Sequence, residues 1–424
     1  MTSSLDTLCV QGGYSPKNGA SRQVPIIYST TFRWESSKEM AALFDLEKEG
    51  YFYSRLQNPT CDTVASKIAA LEGGCAAMLT GSGQAASFFS IFNICSAGDH
   101  ILSSSEIYGG TFNQLAHTLK RMGISVSFFS PDSSDAEIQK LFRPETKAIF
   151  GETVANPSLA VFDIERFARL AHKNGVPLII DNTFPTPILC QPFEWGADIV
   201  VHSTTKYMDG HGSAIGGAIV DSGNFDWTKS DKFPGLTTPD ETYHGVTYTE
   251  RFGKGAYIIK AVAQLMRDLG SVQSPMSAYL LNLGLESLHL RMRKHSENAA
   301  KVADFLSRHD KIVYTRHASL AADPTHDLSA KYLRNGACGV IGFGVIGGRQ
   351  AAEKLMSSLK KIIIATHVAD ARSCVLHPAS ATHRQMSDDE LKAAGIKPDF
   401  IRLSVGIEDA ADLINDLKQA LAEL

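Results

Sequence analysis

Between about residues 60 and 221 the chain alternates short apolar runs of strand character with helical stretches, and this alternation limits its fold more than any other feature. Segments 76–80, 99–103, 125–130, 147–152, 176–181, 198–202 and 214–221 read as strands. Segments 84–95, 112–122, 136–142 and 164–174 read as helices between them, after an opening helix over 63–71 that stops at Gly73-Gly74. Strands alternating with helices of this length form βαβ units and a mostly parallel sheet. The pattern loosens over 222–270, which reads as a crossover, and resumes at Ser274-Pro275, an N-cap followed by proline at the first helical position. A long helix to about 309, strands at 312–315, 339–345, 361–365 and 400–405, and helices over 349–359 and 409–424 then build a smaller α/β domain. Residues 1–57 are rich in turn formers and read as an irregular arm that packs on something else, such as a neighbouring subunit. The expected organisation is therefore an arm (1–57), a large domain (58–270) and a smaller C-terminal domain (271–424).

A chain of 424 residues with 44% apolar and 20% charged residues is ordinary for a globular protein. Its formal net charge of −4 leaves no electrostatic footprint for nucleic acid. No apolar run approaches the ~18 residues that span a bilayer. Seven scattered cysteines without a Cys-x-x-Cys pair fit a reducing, cytoplasmic setting and indicate no metal site.

The chemistry-bearing residues fall at the carboxyl ends of the expected strands, where open α/β sheets bind ligands. Gly81-Ser82-Gly83-Gln84 follows a strand and opens a helix, so its N–H groups and the helix dipole make an anion site. The same glycines, with Ala86 and Glu106, also fit a dinucleotide fingerprint, and a dehydrogenase stays open at this motif. Asp181 ends one strand, and the next runs through His202 into Ser203-Thr204-Thr205-Lys206. A carboxylate for a pyridine nitrogen and a lysine for an aldehyde, on successive strand ends, are what pyridoxal phosphate requires and a dehydrogenase does not. Tyr108-Gly109-Gly110 follows another strand: the tyrosine can stack on a cofactor ring and the glycines let that ring approach. Asn156-Pro157 ends a strand and turn, within reach of a phenolic oxygen. Arg402 interrupts an apolar strand, where its planar fork suits a carboxylate.

These motifs, in order from Val24-Pro25-Ile26 and Tyr53-Ser54-Arg55 to His377-Pro378-Ala379-Ser380 and Arg402-Leu403-Ser404-Val405-Gly406, resemble the cysteine/methionine-metabolism family of pyridoxal-phosphate enzymes over nearly the whole chain. The resemblance implies an aminotransferase-like (fold type I) α/β architecture with pyridoxal 5'-phosphate as cofactor. It implies that Lys206 bonds the cofactor aldehyde, with Tyr108 as its catalytic companion stacked on the ring. Gly83, Gln84, Ser203 and Thr205 would hold the phosphate, joined by Tyr53 and Arg55 from a neighbouring subunit. Asp181 would meet the ring nitrogen and Asn156 the 3'-oxygen, while Arg402, Thr366 and Tyr53 would receive the substrate. The family is typically a homotetramer built from dimers that share active sites. Gly235–Gly245 and Met266–Gly270 are similar to the sulfhydrylase branch, which takes an acylated homoserine and sulfide or a sulfur carrier. Methionine γ-lyases usually carry cysteine at the position of Gly110, which favours replacement over elimination. His367 and Ala369 stand where relatives usually show smaller or amide residues and glycine.

Overall fold

A computed structural model describes residues 3–381 and 397–424. Seven strands form the first sheet: β1 (Ala76–Thr80), β2 (His100–Ser104), β3 (Ser125–Phe129), β4 (Thr146–Glu152), β5 (Leu178–Asp181), β6 (Ile199–His202) and β7 (Gly217–Asp221), in the order β1-β7-β6-β5-β4-β2-β3. Strands β3, β2, β4, β5 and β6 pair in parallel, and β7 runs antiparallel between β6 and β1. The mostly parallel sheet expected from the alternation is present.

Its apolar runs are continuous because both faces are covered. Alternate side chains leave the sheet on opposite sides. Leu178, Ile180 and Val200 enter one core with Ile68, Phe167 and Leu281, whereas Ile179, Ile199 and Val201 enter another with Phe89, Leu115 and Tyr257. The register aligns the strand ends: Glu152 on β4 stands opposite Asp181 on β5, and Asp181 opposite Val201 on β6. Polar residues thus emerge side by side wherever the apolar runs stop.

The second sheet contains β8 (Ile312–Arg316), β9 (Val340–Val345), β10 (Ile363–Ile364), β11 (Cys374–Leu376) and β12 (Phe400–Ser404), in the order β10-β11-β12-β9-β8. Its face packs on helices through Val302, Leu306, Leu355, Leu413 and Leu417. Strand β11 was not expected, being only three residues long, and the strand read over 361–365 shrinks to two residues.

Three further departures have physical causes. The arm contains two capped helices, Leu5–Gln11 and Ser37–Phe44, each only about two turns long and so a weak periodic signal; the first buries Cys9 in the same core as Val64 and Ile68. The segment read as a crossover is largely helical from Tyr248 to Leu269 and buries Tyr248, Tyr257 and Ala261 against the sheet. Gly253, Gly255 and a π-helical turn over Ala261–Met266 break the 3.6-residue period that would have revealed it. The single long helix expected after Ser274 is two, Pro275–Glu286 and Leu288–Ser307. The second of these joins the cores, with Leu288 and Met292 in the first and Val302 and Leu306 in that of the second sheet.

These two helices also grip the turn that comes after β6. Arg291 donates to the carbonyls of Tyr207 (2.7 Å), Met208 (3.3 Å) and Gly284 (2.6 Å). A Cβ at Gly284 would lie 2.4 Å from the carbonyl oxygens of both Met208 and Asp209. Gly284→Ala should therefore overpack the turn after Lys206 and cost about 1–3 kcal/mol; urea unfolding of the variant beside the parent measures it, and an unchanged midpoint would refute this packing role.

Candidate functional site

Beneath the ends of β4, β5 and β6 lies a buried polar network. His202 Nε2 is 2.6 Å from Glu72 Oε1, with both side chains inaccessible to solvent. The same Glu72 oxygen accepts from Asn182 Nδ2 (3.0 Å), and Asn182 Oδ1 accepts from Thr153 Oγ1 (2.9 Å). Pairing of this kind is what allows charged and amide groups to be buried.

Asp181 sits one position before Asn182. Its Oδ1 accepts from Thr183 N (2.9 Å) and from the Thr183 hydroxyl, and that hydroxyl oxygen accepts from Ser203 N (2.8 Å). Among the described residues no hydrogen bond is made to Asp181 Oδ2. Burial pushes the Asp181 carboxyl upward, while the Thr183 bonds and the nearby His202 work against that push. On the neighbouring strand, burial and the Asp181 charge push Glu152 well up. Glu152 accepts from the backbone N–H of Tyr108 (2.6 Å) and of Asn156 (3.1 Å).

Lys206 lies in the turn after β6. Its Nζ makes no hydrogen bond or ion pair among the described residues. Burial lowers the pKa of this amine, and the Arg402 guanidinium lowers it further. Arg402, buried on β12, donates to Asn156 Oδ1 (3.2 Å), Thr366 O (3.2 Å) and His367 O (3.4 Å). It has no carboxylate partner among the described residues, an uncommon state for a buried guanidinium. The two sheets meet at this arginine, because Asn156 belongs to the loop after β4.

The helix Gly83–Phe92 points its N-terminus at the same place, capped by Ser82 Oγ on Ala85 N (3.2 Å). A Cβ at Gly83 would stand 2.6 Å from that of Ser203, so only glycine lets the helix start touch the Ser203 turn. Gln84 is held through its Oε1 by the Thr111 hydroxyl (3.0 Å). Thr205 differs from the simple expectation: its hydroxyl already accepts from Gly216 N (3.1 Å) and donates to Gly216 O (3.2 Å).

Tyr108 is 47% exposed and stands over its own loop. A Cβ at Gly110 would lie 2.5 Å from Tyr108 Cε1, whereas one at Gly109 would meet nothing. Gly110 thus makes room for the tyrosine ring.

Tyr53 and Arg55 are not brought to Lys206 by any described contact. The Arg55 guanidinium lies over the Tyr53 ring, 5.2 Å from its centroid, and both line a cleft of about 1090 Å³ walled by Met78, Leu79, Met266 and Gln273. Glu106, the candidate ribose carboxylate, instead accepts from Ser158 Oγ (2.7 Å). Glu152, Thr183, His202 and Glu72 were missed from the sequence. Glu152 carried the signal that singled out Asp181, a carboxylate at the carboxyl end of an apolar strand. Glu72 lies at a helix end far from these strands in the chain and carried no signal.

The assembled groups are an unbonded amine, an open carboxylate oxygen, a helix N-terminus beside a serine, an aromatic ring and an unpaired guanidinium. Together they can take an aldehyde, a protonated ring nitrogen, a phosphate, a flat ring and a carboxylate. These are the parts of pyridoxal phosphate and an amino acid, so the residues fit that cofactor.

Comparison with known proteins agrees. A family profile described as "Cys/Met metabolism PLP-dependent enzyme" matches residues 6–422. An O-acetyl-L-homoserine sulfhydrylase of Leptospira meyeri is 42% identical, the alignment covering 99% of this chain and 97% of the relative. A homocysteine/cysteine synthase of Saccharomyces cerevisiae is also 42% identical, over 99% of this chain and 98% of its own. The crystal structure of a Campylobacter jejuni protein described as an O-acetylhomoserine (thiol)-lyase, containing N'-pyridoxyl-lysine-5'-monophosphate, superposes with a TM-score of 0.95 at 38% identity, covering 99% of this chain and 100% of that one. The chain belongs to the Cys/Met metabolism family of pyridoxal-phosphate-dependent enzymes.

Proposed function

We propose that this protein converts O-acetylhomoserine and sulfide to homocysteine and acetate. Hydrosulfide replaces the acetoxy group at the γ-carbon: a C–S bond forms as the C–O bond breaks, the product thiol keeps the proton, and acetate carries the negative charge away. Similarity to sulfhydrylases over nearly the whole chain supports the choice of substrates. The observation that carries the reading of the site is Arg402, a buried guanidinium that has no carboxylate partner among the described residues and whose charge lowers the pKa of the Lys206 amine. An α-amino acid supplies that carboxylate.

When bound, pyridoxal phosphate supplies an electron sink for charge left at the substrate's α-carbon. Lys206 holds the cofactor and moves the proton from the α-carbon toward the β-carbon. Burial and Arg402 keep a larger share of this amine unprotonated than in a free lysine, which a base requires. Asp181 Oδ2 takes the ring N–H. The N–H groups of Gly83 and Gln84, with the hydroxyls of Ser203 and Thr205, take the phosphate; Thr205 does so by turning its proton away from Gly216. Tyr108 covers the ring face and Asn156 reaches the ring oxygen. Arg402 binds the substrate carboxylate, its fork held in place by the Thr366 carbonyl. Tyr53 and Arg55 complete the site of a neighbouring subunit, Tyr53 also touching substrate there, in a homotetramer of dimers that works in the cytoplasm.

Incubating the purified protein with O-acetylhomoserine and sulfide should yield homocysteine as the main product. If 2-oxobutyrate and ammonia dominate with sulfide present, the protein is a lyase instead. Lys206→Ala should remove the cofactor's lysine-bonded absorbance and lower turnover by about 10²–10⁴-fold or more; normal turnover would exclude Lys206. Arg402→Gln should remove about 2–5 kcal/mol of substrate binding, seen as a raised KM. The same variant removes a positive neighbour of Lys206, so the pH at which that amine becomes reactive toward formaldehyde and borohydride should move upward. A downward or absent movement would contradict the placement of Arg402 beside the lysine.

A further inference from the structure

Glu152 is a carboxyl group that the proposed roles leave unused, yet it joins two loops of the site. It is 5% exposed and ends β4 directly opposite Asp181. Its Oε1 accepts the Tyr108 N–H at 2.6 Å and its Oε2 accepts the Asn156 N–H at 3.1 Å. Those amides belong to separate loops, one after β2 and the other after β4. Among the described residues the Tyr108 side chain makes no hydrogen bond, and its ring is half exposed. Asn156 is itself the link to Arg402. One carboxyl therefore sets the distance between the residue over the cofactor face, the residue at its edge and the arginine that receives the substrate.

We propose that Glu152 is the positioning residue of the cofactor seat, tying the Tyr108 loop to the Asn156 loop beside Asp181. This rests on the assignment of Tyr108, Asn156 and Asp181 to the cofactor ring. The geometry also explains why a carboxyl group is used. Two convergent N–H groups need two acceptor oxygens, which an amide does not offer. Burial and the Asp181 charge push the Glu152 carboxyl upward, which eases the placing of two acidic groups at one sheet edge.

The test is Glu152→Gln, whose amide must turn its NH₂ toward one of the two N–H groups. Resolved apoprotein, titrated with pyridoxal phosphate, should bind about tenfold more weakly than the parent, and the visible circular dichroism per bound cofactor should fall as the ring loses its fixed neighbours. Parental affinity and dichroism in the folded variant would overturn the proposal, as would a lowered melting temperature with both unchanged, since that marks a purely structural residue. Should the variant fail to fold, amide hydrogen exchange on the parent protein decides. Tyr108 and Asn156 should be protected together, and exchange of either at the rate of an open loop would overturn the proposal. Asp181→Asn run alongside separates the two readings: if it too leaves affinity and dichroism unchanged, the ring assignment itself fails, whereas an effect of Asp181→Asn without one of Glu152→Gln removes Glu152 alone.

Discussion

The Thr183 hydroxyl is the small contact on which the site's geometry depends. It donates to Asp181 and accepts from Ser203 N, so it binds the end of β5 to the end of β6. Parallel pairing brings those strand ends to the same height but does not fix the residues beyond them, because the ladder stops at Asp181 and Val201. Past that point the chain is free to diverge. One side-chain oxygen, acting as donor and acceptor at once, continues the pairing by one more step. It holds Asp181 Oδ1, leaving Oδ2 to be offered outward. It also fixes Ser203, whose turn carries Lys206 three residues on and touches the helix start at Gly83.

Below this contact, the Glu72–His202–Asn182 network answers a different difficulty. Strand ends with polar side chains on both faces would normally draw water into the core. Here the polar groups bond to one another, although Glu72 Oε2 and His202 Nδ1 find no partner among the described residues: His202 and Asn182 share Glu72 Oε1, and Thr153 closes the set onto β4. Low dielectric makes such bonds strong and makes any broken one costly. The network therefore favours one arrangement of β4, β5 and β6 over slipped alternatives, and His202 contributes a field that steadies the Asp181 charge.

The legibility of each feature in the sequence depends on how local its signal is. The parallel sheet showed itself because strands buried on both faces read as unbroken apolar runs, and Asp181 and Lys206 because each terminates such a run. The helical run through Tyr248–Leu269 stayed hidden because two glycines and a π-turn shift its apolar face, so the periodicity that marks a helix cancels. Helix Leu5–Gln11 was hidden by brevity and β11 by having three residues. Glu72 and Arg291 act on residues more than 80 positions away, and nothing in a local pattern predicts a partner at such a distance. Glycine announces that something comes close but not what, and at Gly110 the structure shows the ring of Tyr108.

The two sheets do different electrostatic work, and the site exists only where they meet. The first contributes Asp181 and, through the turn after β6, Lys206; the second contributes Arg402. A guanidinium without a carboxylate is costly to bury, and its three acceptors here are an amide oxygen and two backbone carbonyls. These satisfy its N–H groups without cancelling its charge. That uncancelled charge lowers the pKa of the nearby lysine and leaves a carboxylate-sized demand in the cleft. Asn156 is the one acceptor of the three that comes from the first sheet, and its N–H is in turn bonded to Glu152. Any relative movement of the sheets would therefore be felt at the arginine, the lysine and the ring-facing loops together. The same uncancelled charge thus does two things: it lowers the pKa of the buried amine and leaves the guanidinium without a carboxylate partner among the described residues.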